Sequence, residues 1–147
     1  MRVSALVQVD GPPTPGVNFF SASIAAVAQG QEPSGVLAPE GVGELAISSD
    51  GNVYAYSGAD LVPTFFTSAP VSLGEWHSLA VEANFATRQS SFFLDDVPLG
   101  GKSYDFDTRV TTNILLRGSM LTYCAQDSYF KKKDYSAQFD TFKIEVE

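Results

Sequence analysis

The sequence predicts an all-β fold, a two-sheet antiparallel β-sandwich of the jelly-roll type, on three observations. Short apolar or alternating runs occur along the whole chain, which is the pattern of strands. Turn-forming residues, among them 12 glycines and 8 prolines, separate these runs at intervals of roughly 8–12 residues, a spacing typical of sandwiches and jelly rolls. No segment has a convincing helical periodicity. The pattern predicts about ten to twelve short strands.

The first third of the chain is predicted to contain two strands and a loop. Residues 3–9 form a β-prone run that ends at residues 11–16, because proline fixes φ and lacks an amide donor. Residues 18–28 form a second apolar run, in which Phe, Ser and Ile favour a strand. Residues 30–43 have few large apolar side chains and are predicted to form a loop. A loop of about 14 residues is long for an unstructured connection, so we expect a functional role for it.

Residues 44–48 and 53–56 are predicted to pair as a β-hairpin. The turn between them begins with an Asp-Gly pair at Asp50, a strong hairpin signal because both central positions favour positive φ. Side chains alternate between the two faces of a strand. If the valine and alanine of the second strand face the core, Tyr54 and Tyr56 therefore share the opposite face.

The second half contains the clearest strand pattern. Residues 76–85 alternate, and after a turn residues 90–94 return, ending at Asp95 and Asp96. Aspartate suits such a turn because its side chain bonds to nearby backbone. Further strands are predicted at residues 64–67, 113–117, 120–124 and 139–146, with another that starts near Tyr129.

Composition and charge exclude several classes of protein. The 147 residues suit one domain, 1–147, with 44% hydrophobic residues available for a core. No apolar run reaches about 18 residues, so no membrane insertion is expected. The net charge of −8 disfavours nucleic-acid binding because the phosphate backbone is repelled. Three consecutive lysines, residues 131–133, are too short a run for a nucleic-acid tail and are interpreted as a solvated loop or an edge-strand guard.

The cellular location is predicted from composition alone. The first residues lack the charged, apolar and cleavage regions of a signal peptide, so the protein is either cytosolic or an exported protein whose signal has been removed. Few lysines, many Ser, Thr and Gly residues and the acidic balance favour a secreted or cell-surface protein.

Four segments occur in an order that resembles a known superfamily. SDGNVY (residues 49–54) is an Asp-Gly hairpin, and GEWHSLAVE (74–82) is a strand with a Trp-His pair. SFFLDDVPL (91–99) ends a strand in an aspartate turn, and FDTFKIEV (139–146) is a closing strand. In this order they resemble the laminin G-like, concanavalin A-like lectin/glucanase superfamily.

The resemblance covers most of the chain from Gly43 onward, with two departures. Asp96 stands where the superfamily usually has glycine, and Thr141 where it usually has asparagine. The resemblance implies a concanavalin A-like jelly roll with one concave sheet. Members include lectins, polysaccharide-degrading enzymes and adhesion or structural modules, so the fold alone does not select a function.

The sequence lacks the complete motifs of two enzyme classes that have this fold. The hydrolases carry an E-x-D-x-x-E strand that places paired carboxylates on one face, and this motif is absent. Asp105 and Asp107 have the alternate spacing but lie in a predicted loop. Residues 129–135 with Gln138 are similar to the Y-F-K-A-G-x-Y-x-Q segment of alginate lyases, but the Arg-rich and Gln-x-His strands of those enzymes are missing. We therefore predict no enzymatic activity.

The chain has one histidine and one cysteine. His77 would be the base of any nucleophilic site, but on its strand it points with Leu79 and Val81 toward the predicted core. A structural role is therefore predicted for His77. Cys124 follows an apolar run and is predicted to be a small buried hydrophobic residue; the alternative is an exposed thiol that pairs with another chain.

Candidate carbohydrate-binding residues are Tyr54, Tyr56 and Trp76. Lectin sites stack an exposed aromatic ring on a sugar face and use Asp, Asn or backbone groups for its hydroxyls. The alternative is that these rings cover the sandwich, with Trp76 buried against one end of it.

Calcium is the candidate cofactor. It requires several oxygen ligands, which Asp95 and Asp96 together with Asp105 or Asp107 would supply. Ordinary turn chemistry is the alternative for these aspartates.

The sequence therefore predicts a non-catalytic binding or adhesion module with a glycan as the expected partner. The alternative is a self-assembling structural subunit that pairs with other copies through an exposed edge strand, for which residues 3–9 are the candidate. A polysaccharide-degrading enzyme is the third hypothesis.

Overall fold

The computed structural model describes residues 1–14, 20–31, 37–57, 64–103, 112–124 and 135–146. Within these ranges the chain forms ten strands and no helix, and therefore no helix that is long and apolar enough to cross a membrane. The strands are β1 (Arg2–Asp10), β2 (Phe20–Gln31), β3 (Leu37–Ser48), β4 (Asn52–Ser57), β5 (Thr64–Pro70), β6 (Trp76–Asn84), β7 (Gln89–Leu94), β8 (Val97–Ser103), β9 (Thr112–Cys124) and β10 (Ser136–Glu145).

The strands form two five-stranded sheets. Sheet A has the order β10-β1-β6-β7-β8, and sheet B has the order β5-β4-β3-β2-β9. Every pairing is antiparallel. The predicted all-β, two-sheet sandwich is confirmed. The predicted strands at residues 113–117 and 120–124 are parts of one continuous strand, β9.

Alternation along the strands builds one core between the sheets. In β1 every second residue is buried, so Val3, Val7 and Val9 point inward from sheet A. Ile24 and Leu45 point inward from sheet B and are also fully buried. Each such side chain contributes about 1.5–3 kcal/mol by leaving water, so the alternation fixes which face of each strand is inside.

A hydrogen bond inside the core joins the two sheets. The Ser90 hydroxyl in β7 donates to the Val42 carbonyl oxygen in β3 at 2.6 Å. Beside it, Gly43 leaves no room for a side chain, because a Cβ there would lie 2.9 Å from Val81 Cγ1 and 3.2 Å from the Phe92 ring. Glycine at this position lets sheets A and B approach closely.

The predicted loop at residues 30–43 is wrong for the part of it that the structure describes, residues 30–31 and 37–43. β2 extends to Gln31, and β3 begins at Leu37. The two strands pair along this stretch, with Val27 opposite Gly41 and Gln29 opposite Pro39. Backbone hydrogen bonds between strands do not depend on large side chains, so the lack of apolar residues there gave no sign of the pairing.

The prediction that residues 3–9 form an exposed edge strand is also wrong. β1 pairs with β10 on one side and with β6 on the other. In the part of the chain that the structure describes, the edge strands are β10 and β8 in sheet A and β5 and β9 in sheet B.

The closing strand β10 contains an irregularity that places two aromatic rings on the core side. Its pairing with β1 shifts between Ser4 and Leu6, and Thr141 has a φ of 53° there. An extra residue in one strand reverses the side-chain alternation beyond it. Phe139 and Phe142 lie an odd number of residues apart, yet both pack against the core.

Candidate functional site

The most distinctive surface feature is a pair of tyrosines on β4. Val53 and Ala55 of this strand are fully buried in the core, so Tyr54 and Tyr56 project from the outer face of sheet B, as the alternation predicts. The two rings are stacked, with centroids 6.4 Å apart and an angle of 29° between their planes. Together they form an aromatic surface that spans two rings.

Asp50 fixes the position of the first ring. The Tyr54 hydroxyl donates to Asp50 Oδ2 at 2.5 Å, while the Asn52 amide donates to Asp50 Oδ1 at 3.1 Å. The carboxylate that shapes the β3–β4 turn therefore also holds the Tyr54 ring. A ring held in this way loses little further conformational entropy when a ligand binds.

Both tyrosines are held in the neutral phenol form. The hydrogen bond to Asp50, followed by burial, raises the pKa of Tyr54 to about 12. Burial raises the pKa of Tyr56, and the negative charges of Glu44 and Asp50 act in the same direction. A tyrosine that abstracts a proton must ionise near the working pH, so these side chains suit ligand contact better than general-base catalysis.

The tyrosines border a floor of small residues on the outer face of sheet B. Ala46 is opposite Tyr54, and Ser23 is opposite Ala46 on the next strand. Ala46 is 5% exposed and Ser23 is 3% exposed, although both are on the outer face of the sheet. Ala25, which neighbours them on β2, is also buried.

The opposite border is on β9. Leu121 is opposite Ser23, and Tyr123 is opposite Ser21; they are 52% and 62% exposed. From β4 to β9 there are three gaps between strands of about 4.8 Å each, so the borders are about 14 Å apart. We call this surface the tyrosine channel, with Ser23, Ala25 and Ala46 as its floor and Tyr54, Tyr56, Leu121 and Tyr123 as its borders.

Polar groups accompany the aromatic rings in the channel. Glu44 is half-buried and lies directly opposite Tyr56. Asp50 lies at the end of the same hairpin and contacts Tyr54. The channel thus combines flat aromatic surface with carboxylate oxygens, which are groups that stack on a sugar ring and accept hydrogen bonds from its hydroxyls.

Trp76 does not join the tyrosines. It begins β6 in sheet A, opposite Gln8, whereas the tyrosines are in sheet B. The expectation that its ring is buried against the end of the sandwich is wrong, because Trp76 is 44% exposed. Its neighbour His77 takes the inward position on the strand, so alternation turns Trp76 outward.

His77 is the centre of a hydrogen-bond network. Its Nδ1 lies 2.9 Å from Asp95 Oδ2, and its Nε2 lies 3.0 Å from the Ser72 carbonyl oxygen. Both partners are acceptors, so both contacts are satisfied together only when each ring nitrogen carries a proton. The remaining oxygen of Asp95, Oδ1, accepts from the Ser78 amide at 2.8 Å. The network therefore connects the loop at Ser72, strand β6 and the β7–β8 turn through His77 and Asp95.

The structure describes two of the four candidate calcium ligands. Asp95 and Asp96 form the β7–β8 turn with φ values of 50° and 62°, and both Asp95 oxygens bond within the protein. Asp105 and Asp107 lie outside the described residues. Among the residues that the structure describes, no group of three or more His, Cys, Asp or Glu side chains is placed to hold a metal ion. Calcium binding stays a prediction.

Two further features of the sequence lie wholly or partly outside the described residues. The side chain of Cys124 is not described, although its backbone ends β9. Residues 129–134, the lyase-like segment with its three lysines, are also outside the described residues.

The His77 network predicts a pH-dependent stability. Burial lowers the pKa of His77, but the hydrogen bonds to Asp95 and Ser72 and the charges of Asp95 and Glu75 together raise it above its ordinary value of 6.5. A raised pKa in the folded state means that the imidazolium stabilises the fold below about pH 6.5 and that this contribution is lost as pH rises through the folded-state pKa.

Urea denaturation from about pH 6 to pH 9 measures this effect. The wild-type chain is expected to lose more stability across this range than a His77→Gln variant, because only the wild-type chain loses the imidazolium. Equal slopes for the two proteins would contradict the assignment. Other titrating groups affect both proteins alike, so the difference isolates His77.

Comparisons with known proteins give structural likenesses only. No protein-family model matches the sequence, and no curated protein matches it. A sheep galectin-11 structure in complex with glycerol aligns with a TM-score of 0.43 and 8% identity, over 93% of this chain and 88% of that chain. An alginate lyase, A1-II′ of polysaccharide lyase family 7, aligns with a TM-score of 0.46 and 15% identity, over 95% of this chain and 62% of that chain.

Proposed function

We propose that this chain is a non-catalytic carbohydrate-binding module of a secreted or cell-surface protein, and that the tyrosine channel is its binding site. The observation that carries the proposal is the stacked Tyr54–Tyr56 pair beside a floor of small, buried residues. A sugar presents a flat C–H face and a rim of hydroxyls, and the channel offers a matching surface for each.

The channel suits a sugar on energetic grounds. Aromatic rings contribute buried area and specific geometry at a small entropy cost. The carboxylates of Glu44 and Asp50 accept hydrogen bonds from hydroxyl groups, and charge-assisted bonds of this kind are stronger than neutral ones. Tyr54 and Tyr56 are both partly exposed, so their rings are accessible to a sugar.

Superfamily membership is part of this proposal. The motifs that resemble laminin G-like, concanavalin A-like proteins fall on paired strands: the Asp-Gly hairpin joins β3 to β4, and the Trp-His strand is β6. The two-residue aspartate turn joins β7 to β8. We assign residues 1–147 to a single domain of that superfamily.

The test is a glycan array followed by calorimetry with the best array ligand. Tyr54→Ala and Tyr56→Ala are each expected to weaken binding about tenfold, which corresponds to ~1.4 kcal/mol. Tyr54→Phe keeps the ring but loses the bond to Asp50, so a smaller loss is expected. The array is run with calcium and with a chelator, because calcium binding stays a prediction.

Trp76→Ala is the matched control, since Trp76 is an exposed aromatic residue on the other sheet. We expect its affinity to equal that of the wild-type chain. Unchanged binding by the double variant of Tyr54 and Tyr56 would overturn the proposed site, and loss of binding in the Trp76 variant alone would move the site to sheet A.

The second candidate function is self-assembly, and edge strand β9 favours it. β9 has 13 residues and, in the described part of the chain, pairs with β2 alone. Met120, Leu121 and Tyr123 on this strand are all more than two-fifths exposed. Two copies related by a two-fold axis are able to pair along such an edge.

Size-exclusion chromatography with light scattering tests this candidate. If β9 joins copies, the wild-type chain forms an oligomer and Leu121→Lys converts it to a monomer, because a lysine on an edge opposes pairing. Val97→Lys, on an exposed residue of the opposite sandwich edge, is the control. A monomeric wild-type chain would remove self-assembly from consideration.

An assay for polysaccharide cleavage covers the third hypothesis. Incubation of array-positive polysaccharides with the chain is expected to release neither reducing ends nor unsaturated products. Release that disappears in a Tyr54→Phe variant would replace the binding-module proposal with an enzyme.

A further inference from the structure

A cleft of about 630 Å³ lies at one end of the outer face of sheet A. It is therefore on the opposite sheet from the tyrosine channel. Its polar lining residues include Arg2, Glu82, Asn84, Gln89, Ser91 and Glu145. All of them belong to the described residues, and they come from strands β1, β6, β7 and β10.

The strand register brings charged side chains together across three strands. Arg2 of β1 lies opposite Glu145 of β10 and opposite Glu82 of β6. Arg2 Nη1 donates to Glu82 Oε1, and the guanidinium carbon lies 5.1 Å from the centroid of the Phe93 ring. The ion pair and the aromatic ring together fix the plane of the guanidinium.

This ion pair remains accessible to a ligand. The Arg2 side chain is 31% exposed, and that of Glu82 is 43% exposed. A guanidinium has five N–H donors, so the single bond to Glu82 leaves others directed elsewhere. Within one fixed pair the cleft thus offers donors and carboxylate acceptors side by side.

The neighbouring part of the cleft is polar and partly held in place. The Thr87 amide donates to Asn84 Oδ1 at 3.0 Å, which fixes Asn84 at the β6–β7 turn. Gln89 is opposite Asn84, and Ser91 is opposite Glu82. Gly101 is the partner of Ser91 on β8, so no side chain stands on the far side of Ser91.

We propose that this cleft is a second saccharide-binding site, which recognises a pair of adjacent hydroxyl groups through Arg2 and Glu82. Each sugar hydroxyl both donates and accepts a hydrogen bond, which matches the donor and acceptor of the ion pair. A volume of about 630 Å³ is in the usual range for small-ligand sites. The cleft carries both signs of charge, with Glu82 and Glu145 beside Arg2 and the Met1 ammonium, which suits an uncharged ligand.

The ligand class rests on the proposed function, whereas the cleft itself does not. The cleft and the tyrosine channel are on the outer faces of opposite sheets, and packed sheets are about 10 Å apart. A short sugar therefore reaches one site only, and a protein that has both sites is bivalent. Such a module crosslinks polysaccharide strands and gains avidity without new contacts.

The test is a titration in which two-dimensional NMR spectra of the backbone amides are the readout. The probes are the neutral disaccharides lactose, maltose, cellobiose and mannobiose, with glucose 6-phosphate as the anionic comparison. At least one disaccharide is expected to shift amides of residues 82–91, while glucose 6-phosphate shifts none of them. Glu82→Gln is expected to weaken binding in the cleft at least tenfold and to leave the channel unchanged.

Two further variants keep the result interpretable. Gln89→Ala removes an exposed side chain from the cleft and is expected to weaken binding there even if Glu82→Gln folds poorly. Lys143→Gln changes the charge of the same sheet face outside the cleft and is expected to bind as the wild-type chain does.

The outcomes separate the two proposals. Shifts in the cleft alone would support the second site and contradict the tyrosine channel. Shifts in the channel alone, or cleft binding that both cleft variants retain, would overturn the second site. No shift with any of the disaccharides would overturn it as well, and tighter binding of glucose 6-phosphate would overturn the assigned ligand class.

Discussion

Replacing Phe92 with alanine is expected to lower the free energy of unfolding by about 3–5 kcal/mol. Phe92 is the largest fully buried side chain among the described residues. Its ring lies 5.9 Å from that of Phe66, centroid to centroid, and close to Gly43 where the sheets approach. Removing it leaves a cavity bordered by both sheets. Domains of this size are stable by about 5–15 kcal/mol, so the variant is expected to unfold at a much lower urea concentration.

Phe93 provides the matched control for this prediction. It is the next residue in β7, points to the outer face, and is half-buried. Its contact with the Arg2 guanidinium is of a type worth about 0.5–1 kcal/mol, so Phe93→Ala is expected to cost far less than Phe92→Ala. Equal losses for the two variants would contradict the assignment of inner and outer faces in sheet A.

Replacing Gly11 with alanine is expected to cost about 3 kcal/mol or more, the sum of backbone strain and overpacking. Gly11 has a φ of 144°, a conformation that side chains rarely adopt. A Cβ there would lie 2.3 Å from Tyr135 Cδ1. The Tyr135 ring stacks on Phe20 with centroids 5.7 Å apart, and its hydroxyl donates to the Pro12 carbonyl. The Tyr135 ring is therefore held from two sides, and moving it away from Gly11 would cost free energy.

Gly74→Ala separates strain from overpacking. Gly74 has a φ of 84°, but the nearest atom to a Cβ there is Asp10 Oδ1 at 3.6 Å, which is ordinary contact. Alanine at Gly74 is therefore expected to cost about 1–2 kcal/mol, from the left-handed backbone alone. Thermal or urea unfolding of both variants checks the difference, and an equal cost would show that the Tyr135 ring does not restrict Gly11.

The fold was predictable where side chains alternate visibly. The alternation of β4 and the Asp-Gly pair at Asp50 predicted the β3–β4 hairpin, including the shared face of Tyr54 and Tyr56. The pairing of residues 29–31 with residues 37–39 was not predictable, because few large apolar side chains mark these parts of β2 and β3. What holds them in register is backbone bonding and the close approach of the sheets at Gly43.

The candidate site was predictable only in part, for a related reason. The tyrosines are alternate residues of one strand, so a local pattern indicated that they share a face. Leu121 and Tyr123 are alternate residues of β9, and their spacing indicates a shared face, but only the pairing of β9 with β2 places them across the channel from the tyrosines. The Arg2–Glu82 pair depends in the same way on a long-range register, which no local pattern reveals.

The most direct test of the central claim is the proton spectrum of a glycan selected on the array, recorded with and without the protein. If the sugar lies against Tyr54 and Tyr56, its C–H protons shift upfield under the ring currents, and the shift is reduced in each single alanine variant and absent in the double variant. Retention of the full upfield shift by the double variant, or binding with no upfield shift, would contradict the assignment of the tyrosine channel as a carbohydrate site.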